Sequence, residues 1–300
     1  MGLRTCRLLL DRGHQVTAID DMRRAQEDAE STLGKWGVVL AKTDIGSYSE
    51  MKQSLAGCEA VVHLAALTSV RASFEHPLEY HDVNTTGTFN VLNASAETSV
   101  GRVIFSSSAA VYGNAAQVPI SESHPTRPSS PYAVSKLAGE AYVMGFHSLC
   151  GLEAVILRYF NVYGPTNRPG YNGVVSEFAQ RVLTGSPLTI AGDGRQTRDF
   201  VYVDDVAWAN VLSVEAKRVD LEVLNVGSGR ETSVNEVADI LTELDGKPGK
   251  RTYKTLESGD PARSVADISM ARRAIGFEPK FDLRKGLTLV LSHEKSRRKP

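Results

Sequence analysis

Short apolar runs alternate with longer stretches of helical spacing over the first half of the chain. The runs are rich in β-branched residues and almost wholly apolar, which is typical of strands covered on both faces. Because strand and helix alternate, the pattern predicts an α/β fold with a doubly wound parallel sheet. The predicted strands are 15–20, 37–41, 60–64, 102–105 and 154–158, and the predicted helices are 3–11, 48–56, 77–98 and 131–149.

The character of the sequence changes after residue 164, where a connection rich in Pro, Gly and Asn begins. The elements predicted beyond it are helices at 174–184, 233–245 and 268–275, strands at 199–203, 222–226 and 251–255, a turn at 192–194 and a solvated tail at 293–300. This mixture predicts a second, smaller, mixed α/β domain. We assign 1–164, with a returning segment at about 198–228, to the first domain, and 165–197 with 229–300 to the second.

The composition excludes several classes of protein. Apolar residues make up 42% and charged residues 23%, and the net charge is −1, which does not fit a basic nucleic-acid-binding chain. Cys6, Cys58 and Cys150 are far apart and form no CxxC motif, so neither a disulfide framework nor a zinc site is expected. No apolar run approaches the length that spans a bilayer. We therefore expect a cytoplasmic protein without a metal, a membrane partner or a nucleic-acid partner.

The start of the sequence carries only part of a dinucleotide-binding motif. Such a fold opens with a strand, a glycine-rich turn and a helix whose N-terminus faces the pyrophosphate. Here a helix begins at Gly2, and the next strand ends in Asp20, where an acidic residue typically holds the adenosine ribose. The sheet is therefore expected to lack its usual first strand and glycine turn. Either the natural start lies upstream, or binding of the dinucleotide is weakened.

Three segments carry residues that suit catalysis. Residues 106–113 follow a predicted strand, at the edge where parallel sheets place catalytic groups. Tyr132 and Lys136 are four residues apart on a predicted helix, so that their side chains share one face. A neighbouring ammonium favours the phenolate and lowers the pKa of a tyrosine, which makes it a usable base. The third segment, 158–165, leads from a strand into the crevice between the domains.

These segments, with four others, resemble the extended short-chain dehydrogenases/reductases, specifically NAD-dependent sugar-nucleotide epimerases of the UDP-glucose/UDP-N-acetylglucosamine 4-epimerase type. The resemblance covers nearly the whole chain and implies a Rossmann-like NAD-binding domain followed by a sugar-nucleotide domain. The motifs that carry it are His63-Leu-Ala-Ala66, Asn84-Thr-Thr-Gly-Thr88, Ser106-Ser-Ser108, Tyr132-xxx-Lys136, Arg158-Tyr-Phe-Asn161, Gln196-Thr-Arg-Asp-Phe200 and Gly259-Asp260.

The resemblance implies 4-epimerisation of a UDP-hexose through a transient 4-keto sugar, with NAD retained by the enzyme. Tyr132 would take the proton of the sugar 4-hydroxyl, Lys136 would hold the nicotinamide ribose and tune Tyr132, and Ser108 would bind the same hydroxyl. The implied NAD contacts are Gly2, Asp20, Asp44, Ile45, Leu64, Ala65, Ala66, Tyr132 and Lys136. The implied contacts with the UDP-sugar are Ser108, Asn161, Arg198, Asp260 and Ser264. The helices at 77–98 and 131–149 would form a homodimer interface.

Four positions bear on the reaction and the substrate. Related dehydratases carry an Asp-Glu pair where this chain has Ala109 and Ala110, and an alkyl group cannot protonate a leaving hydroxyl, which favours epimerisation. Ser264 stands where a tyrosine would crowd an N-acetyl group, so UDP-GlcNAc/UDP-GalNAc is expected, with UDP-Glc/UDP-Gal also accepted. Glu257 stands where many members of the family carry a diphosphate-binding arginine, so either Arg263 or another cation substitutes for it, or the diphosphate is bound weakly.

Two alternatives stay open. The first is a different enzyme of the same family, a dehydratase, decarboxylase or reductase that acts on a nucleotide sugar. The second is a catalytically impaired protein that binds nucleotide sugars, which the missing glycine turn favours and the intact Ser108, Tyr132 and Lys136 disfavour.

Overall fold

The computed structural model describes residues 1–26, 28–166, 173–246, 249–255 and 261–298. Its helices are α1 (Gly2–Asp11), α2 (Ala29–Lys35), α3 (Tyr48–Ser54), α4 (Val70–Glu75), α5 (Pro77–Tyr80), α6 (Gly87–Glu97), α7 (Pro131–Cys150), α8 (Val174–Thr184), α9 (Val203–Glu215), α10 (Val234–Asp245), α11 (Ser269–Ile275) and α12 (Leu283–Arg297), with a π-helix at His81–Thr86 and a 3₁₀-helix at Ala109–Tyr112. Its strands are β1 (Thr17–Ile19), β2 (Val39–Ala41), β3 (Ala60–His63), β4 (Arg102–Ser108), β5 (Glu153–Tyr159), β6 (Asn161–Tyr163), β7 (Leu188–Ala191), β8 (Thr197–Arg198), β9 (Phe200–Tyr202), β10 (Leu221–Val226), β11 (Thr232–Ser233) and β12 (Arg251–Lys254).

A four-stranded parallel sheet in the order β10-β5-β4-β3 forms the centre of the molecule. Its register places His63 opposite Phe105 and Ser108 opposite Tyr159. On one face Phe105 packs with residues of α6 and α7, and on the other Ile104 packs with residues of α9 and α11. Both faces are therefore covered by helices, which confirms the predicted doubly wound α/β fold.

Strands β1 and β2 form a separate parallel pair. Among the described residues, neither strand forms hydrogen bonds with β3, and a broad cavity lies between β1 and β3. The chain enters α1 at Gly2 and reaches β1 at Thr17, so the sheet lacks the usual first strand and glycine turn in the part of the protein that the structure describes.

A second apolar core lies among α8, α10 and α12, with β7 and β9 beside it. Phe178, Leu241 and Leu287 are buried at its centre, and β12 pairs with β7 in parallel. This is the mixed α/β unit that the second half of the sequence predicts. The division of the chain at 164, 198 and 228 stays a prediction.

The tail was expected to be solvated from residue 293 onward; residues 295–298 are exposed, but the prediction is wrong for Glu294. Helix α12 continues to Arg297, and Glu294 is buried. The reason is that Leu287, Val290 and Leu291 recur at helical spacing and pack into the second core, which holds the whole helix in place. In the described residues, no helix combines the length and the apolar character needed to cross a membrane.

Candidate active site

One cavity of about 3030 Å³ opens at the carboxyl ends of β3, β4 and β5. Its volume exceeds that of an ordinary ligand pocket, roughly 300–1,000 Å³, because it holds the crevice of the sheet together with the space between β1 and β3. Asp260 lies outside the described residues. Every other predicted site residue lines this cavity: Gly2, Asp20, Asp44, Ile45, Leu64, Ala65, Ala66, Ser108, Tyr132, Lys136, Asn161, Arg198 and Ser264.

Ser108 is the last residue of β4, whose preceding residues are buried. Its Oγ accepts a hydrogen bond from the backbone N–H of Ala110 at 3.2 Å and so caps the 3₁₀-helix that follows. A serine hydroxyl has one donor and two acceptor positions, so this cap leaves the O–H to donate into the cavity. The next side chains, Ala109 and Ala110, line the same cavity with methyl groups.

Tyr132 lies in the first turn of α7, which begins at Pro131 and is capped by Ser130 Oγ accepting from the backbone N–H of Ala133 at 3.2 Å. The phenol ring packs against Leu67 and meets Tyr80 edge to face, with 6.4 Å between the ring centroids. Only 8% of Tyr132 is exposed. Packing on two sides therefore holds the ring at the cavity wall, as a base in a proton transfer must be held.

Lys136 lies one turn further along α7 and is buried. Its Nζ donates to the backbone oxygen of Ser106 at 2.8 Å and lies 5.3 Å from the centroid of the Phe105 ring. Burial lowers the pKa of Lys136 to about 8. Because an ammonium has three donors and Ser106 accepts one, the side chain can offer hydrogen bonds to a ligand in the cavity.

Asn84 is a residue that the sequence analysis quoted in a motif but gave no role. It lies in the π-helix, an irregularity often found at functional sites. Its Oδ1 accepts from the backbone N–H of Leu67 at 2.8 Å, and its Nδ2 donates to Leu67 O at 2.9 Å and to Ser135 Oγ at 3.0 Å. Ser135 Oγ donates in turn to Tyr132 O at 2.8 Å. Asn84 therefore connects the loop after β3 with the helix that carries Tyr132.

The residues that suit the expected NAD lie at the end of the cavity formed by α1 and β1. The first turn of α1, residues 2–5, lines it, and an added Cβ at Gly2 would meet nothing within 4 Å. Asp20 follows β1 and presents an exposed carboxylate, of which Oδ1 accepts from the backbone N–H of Met22 at 2.7 Å. A helix N-terminus suits a pyrophosphate, a carboxylate suits ribose hydroxyls, and the Lys136 ammonium suits the second ribose. Leu64, Ala65 and Ala66 line the wall between these groups.

Two of the predicted NAD contacts have other partners as well. The Asp44 carboxylate accepts from Arg23 at 2.8 Å and from the backbone N–H of Gly46 at 2.8 Å. The Ile45 side chain is buried against α3 and α6, so close that a Cβ on Gly87 would lie 2.6 Å from its Cδ1. Both residues line the cavity, but their side chains also fix the loop after β2 against α6.

At the sugar-nucleotide end, Asn161, Arg198 and Ser264 line the cavity together. Arg263, one candidate for the missing diphosphate cation, does not line it. Its guanidinium donates two bonds of 2.6 Å to Glu231, and this pairing lowers the pKa of Glu231 to about 2. Lys254, at the end of β12, does line the cavity. The Glu257 position lies outside the described residues.

His63 is buried at the end of β3, and its Nε2 lies 2.9 Å from Thr88 Oγ1. The Thr88 hydroxyl donates to the backbone oxygen of Asn84 at 2.6 Å, so the proton between His63 and Thr88 belongs to the histidine. Burial, with the nearby Lys136 charge, lowers the pKa of His63 from 6.5 to about 3. His63 is therefore neutral near pH 7 and donates from Nε2.

The low pKa of His63 predicts a stability that decreases in mild acid. The unfolded chain takes up a proton as the pH falls through 6.5, and the folded chain does not. The free energy of unfolding should therefore fall by about 1.4 kcal/mol per pH unit below this value, or about 2 kcal/mol at pH 5. Urea unfolding of wild type and His63→Gln at pH 7.5 and pH 5 measures this loss, which should vanish in the variant. His81→Gln, at an exposed histidine, is the control and should lose as much free energy of unfolding between pH 7.5 and pH 5 as wild type. If His63→Gln lost as much as wild type, His63 would not be the source of the pH dependence.

Comparison with known proteins adds to this geometry. A family model described as the NAD dependent epimerase/dehydratase family matches residues 1–227. A UDP-glucuronate 4-epimerase of Thermodesulfobacterium geofontis is 32% identical over 98% of this chain and 93% of its own length. The structure of UDP-glucose 4-epimerase from Thermotoga maritima with UDP-glucose matches with a TM-score of 0.93 and 34% identity, covering 99% of this chain and 96% of that one. The UDP-N-acetylglucosamine 4-epimerase from Methanobrevibacter ruminantium, in complex with UDP-N-acetylmuramic acid, gives 0.91 and 34%, covering 99% and 95%. These proteins share 4-epimerisation of a UDP-sugar and differ in the sugar.

Proposed function

The chain belongs to the NAD-dependent epimerase/dehydratase family, and from this premise we propose that it epimerises a UDP-hexose at C4. The observation that carries the proposal is the meeting of Ser108, Tyr132 and Lys136 at the wall of one cavity that also takes in the expected NAD contacts. The family is NAD-dependent and its named relatives act on UDP-sugars.

The proposed mechanism assigns the proton steps to this chain's own side chains. Tyr132, as phenolate, accepts the proton of the sugar 4-hydroxyl, and the Ser108 hydroxyl holds the same oxygen. The Lys136 ammonium stabilises the phenolate and binds a ribose of the cofactor. Bound NAD supplies the acceptor and donor of the C4 hydride. After the 4-keto sugar turns over in the cavity, Tyr132 returns the proton to the C4 oxygen, so that the product differs from the substrate only in its configuration.

Alanine at positions 109 and 110 supports epimerisation over elimination. Their methyl groups line the cavity directly after Ser108, where an acid would be needed to protonate a leaving hydroxyl. A dehydratase or decarboxylase remains the alternative reaction, and a protein that only binds the nucleotide sugar remains the alternative class.

The experiment that tests the proposal has two parts. Denaturing the purified protein and quantifying the released nucleotide should give nearly one NAD per chain. Incubation with UDP-GlcNAc, UDP-Glc and UDP-glucuronate should convert at least one of the first two into its C4 epimer, a product of unchanged mass. A product that has lost the mass of water or carbon dioxide would identify a dehydratase or decarboxylase. Absence of NAD binding, even with excess NAD, together with binding of UDP, would identify a nucleotide-sugar-binding protein.

We propose that UDP-GlcNAc/UDP-GalNAc is the preferred pair and that UDP-Glc/UDP-Gal is also accepted. Ser264 lies in the cavity wall and only 8% of it is exposed. Its short side chain leaves volume for an N-acetyl group. The uridine diphosphate has room in an adjoining cavity of about 790 Å³, lined by Phe178, Gln196, Arg198 and Lys254. Arginine and lysine at its border suit the two phosphates.

Ser264→Tyr should separate the two sugar pairs. The phenol fills the space proposed for the N-acetyl group, so kcat/KM for UDP-GlcNAc should fall by about 100-fold, while that for UDP-Glc changes far less. Ser264→Ala keeps the space open and serves as the control, with both activities near wild type. Undiminished activity of Ser264→Tyr on UDP-GlcNAc would refute the role of this position.

We propose that two copies of the chain pair through α6 and α7. Phe89, Val134, Tyr142 and Leu149 on these helices are large, apolar and exposed, and Phe89 packs edge to face on Tyr142 at 5.5 Å between ring centroids. An exposed apolar group of this kind typically marks an interface. Sedimentation should give twice the mass of the chain, and a single-chain mass at micromolar concentration would contradict the pairing.

A further inference from the structure

Asp199 is a fully buried carboxylate between β8 and β9, with an exposed fraction of 0%. Its Oδ1 accepts from the backbone N–H of Ser228 at 2.6 Å and from the Ser228 hydroxyl at 2.7 Å. Its Oδ2 accepts from the backbone N–H of Gly229 at 2.9 Å and of Ala266 at 3.1 Å. Burial raises the pKa of Asp199, and these four hydrogen bonds act in the opposite direction. A carboxylate with its acceptor positions occupied in this way holds its donors firmly.

The bonds of Asp199 lead to three separate segments, at 161, 228–229 and 266, of which the first and the last border the proposed sugar-nucleotide site. The backbone oxygen of Asp199 accepts from the N–H of Asn161 at 2.9 Å, and Arg198 is the preceding residue. Ser264 lies two residues before Ala266, one of the carboxylate's donors. Asn161, Arg198 and Ser264 line the cavity, and Asp199 itself does not. All three proposed substrate contacts are therefore tied to one residue behind them.

The packing around the carboxylate leaves it no room to move. A Cβ on Gly227 would lie 2.6 Å from Asp199 Oδ2 and 2.7 Å from the Ala266 side chain. The turn after β10 and the segment at 264–266 therefore meet directly at the carboxylate, and a change in its hydrogen bonding must be transmitted to them.

We propose that Asp199 is the positioning residue that sets Asn161, Arg198 and Ser264 in register for the nucleotide sugar. The inference rests on the proposed function, because it concerns the binding of that substrate. Asp199 acts through these neighbours, so its loss should weaken the binding of UDP and the UDP-sugar. The proton transfer at Tyr132 and the NAD end of the cavity should be unaffected.

The chain offers a matched control in Asp205. This carboxylate is also buried and also accepts from two backbone N–H groups, those of Lys280 at 2.8 Å and Phe281 at 3.2 Å. Neither partner lines the cavity. Asp205→Asn should therefore cost stability as Asp199→Asn does, without a change in substrate binding.

The test uses the full-length, NAD-loaded protein and compares wild type, Asp199→Asn and Asp205→Asn. In Asp199→Asn the side-chain NH₂ group faces N–H groups that donate to the carboxylate in wild type, so some of these donors lose their acceptor. KM for the UDP-sugar and the Kd of UDP measured by calorimetry should therefore rise about 30-fold. Its kcat should stay within about threefold, its NAD content should not change, and Asp205→Asn should keep wild-type KM and Kd. A KM and Kd for Asp199→Asn within twofold of wild type would overturn the inference.

A second variant covers the case in which Asp199→Asn does not fold. Ser228→Ala removes the single hydroxyl bond at 2.7 Å and should raise KM and the Kd of UDP about fivefold; unchanged values would overturn the inference. Wild-type protein that neither epimerises a UDP-sugar nor binds UDP would refute the proposed function, and this inference with it. Wild-type protein that binds UDP, with variants that bind it equally well, would refute the inference alone.

Discussion

Tyr132→Phe should reduce kcat for UDP-sugar epimerisation by about 10³-fold, the middle of the range for loss of a general base. The change removes the oxygen that accepts the 4-hydroxyl proton and keeps the ring, which packs against Leu67 and Tyr80. The fold, the NAD content and the Kd of UDP should therefore stay as in wild type. Steady-state kinetics, nucleotide release and calorimetry on the same preparation measure the three quantities.

Tyr142→Phe supplies the matched control, because Tyr142 lies on the same helix with its side chain exposed. It should keep wild-type kcat. If Tyr132→Phe retained kcat within threefold, Tyr132 would not be the base. A protein that only binds nucleotide sugars would show no epimerisation even as wild type, so the wild-type kcat tests the class of protein and the substitution tests the mechanism.

The local pattern of apolar residues was sufficient to predict the strands of the central sheet. β4, β5 and β10 are runs of apolar, β-branched residues, and burial on both faces is what that composition requires. The helix predicted at 77–98 is instead interrupted, with the π-helix between α5 and α6. Nothing in the spacing of its apolar residues signals the extra residue per turn. The irregularity is held by the bonds of Asn84 to Leu67 and Ser135, which the fold brings from distant positions.

Four helices, α2, α4, α9 and α12, were not predicted from the sequence, and the last two differ in the reason. α9 begins at Val203 directly after β9, with no Gly or Pro between them, and Tyr202 offers no side-chain cap. Asp204 and Asp205 in the first turn are therefore the remaining local signal for the start of this helix. α12 begins with a regular cap, in which Asp282 Oδ1 accepts from the backbone N–H of Lys285 at 2.8 Å. This signal is present in the sequence, yet no helix was predicted there.

The spacing of Tyr132 and Lys136 was enough to predict a shared helix face, and both residues line the cavity. Pairings between distant segments were beyond such reasoning. Arg263 was a candidate for the diphosphate, but it binds Glu231, which is 32 residues away in the sequence. Asp199 had no predicted role, because its donors come from two other segments. A residue that acts by holding other residues becomes recognisable only when the tertiary contacts are known.

Glu140→Ala should lower the free energy of unfolding by about 3–5 kcal/mol, because it leaves a buried guanidinium without its partner. Glu140 and Arg158 are 1% and 6% exposed, and two bonds of 2.9 and 2.6 Å join them. Ser107 also donates to Glu140, and Arg158 donates to the Tyr112 hydroxyl at 3.0 Å. Removal of the carboxylate therefore leaves donors on β4 and β5 unsatisfied at once. Urea unfolding at pH 7.5, with and without NAD, measures the loss.

Glu153→Ala is the control, since Glu153 also accepts two bonds from one arginine, Arg102, at 2.9 and 2.6 Å. Its side chain is 46% exposed, so water replaces the lost partner and the change should cost less than about 1 kcal/mol. Equal losses in the two variants would mean that burial does not set the difference. Because Glu140 lies two turns from Tyr132 and binds the residue before Ser108, Glu140→Ala should also lower kcat. Arg158→Leu in addition to Glu140→Ala removes the unpaired charge and should recover part of the stability. A kcat that stayed low in this double variant would show that the ion pair also aligns β5 with α7.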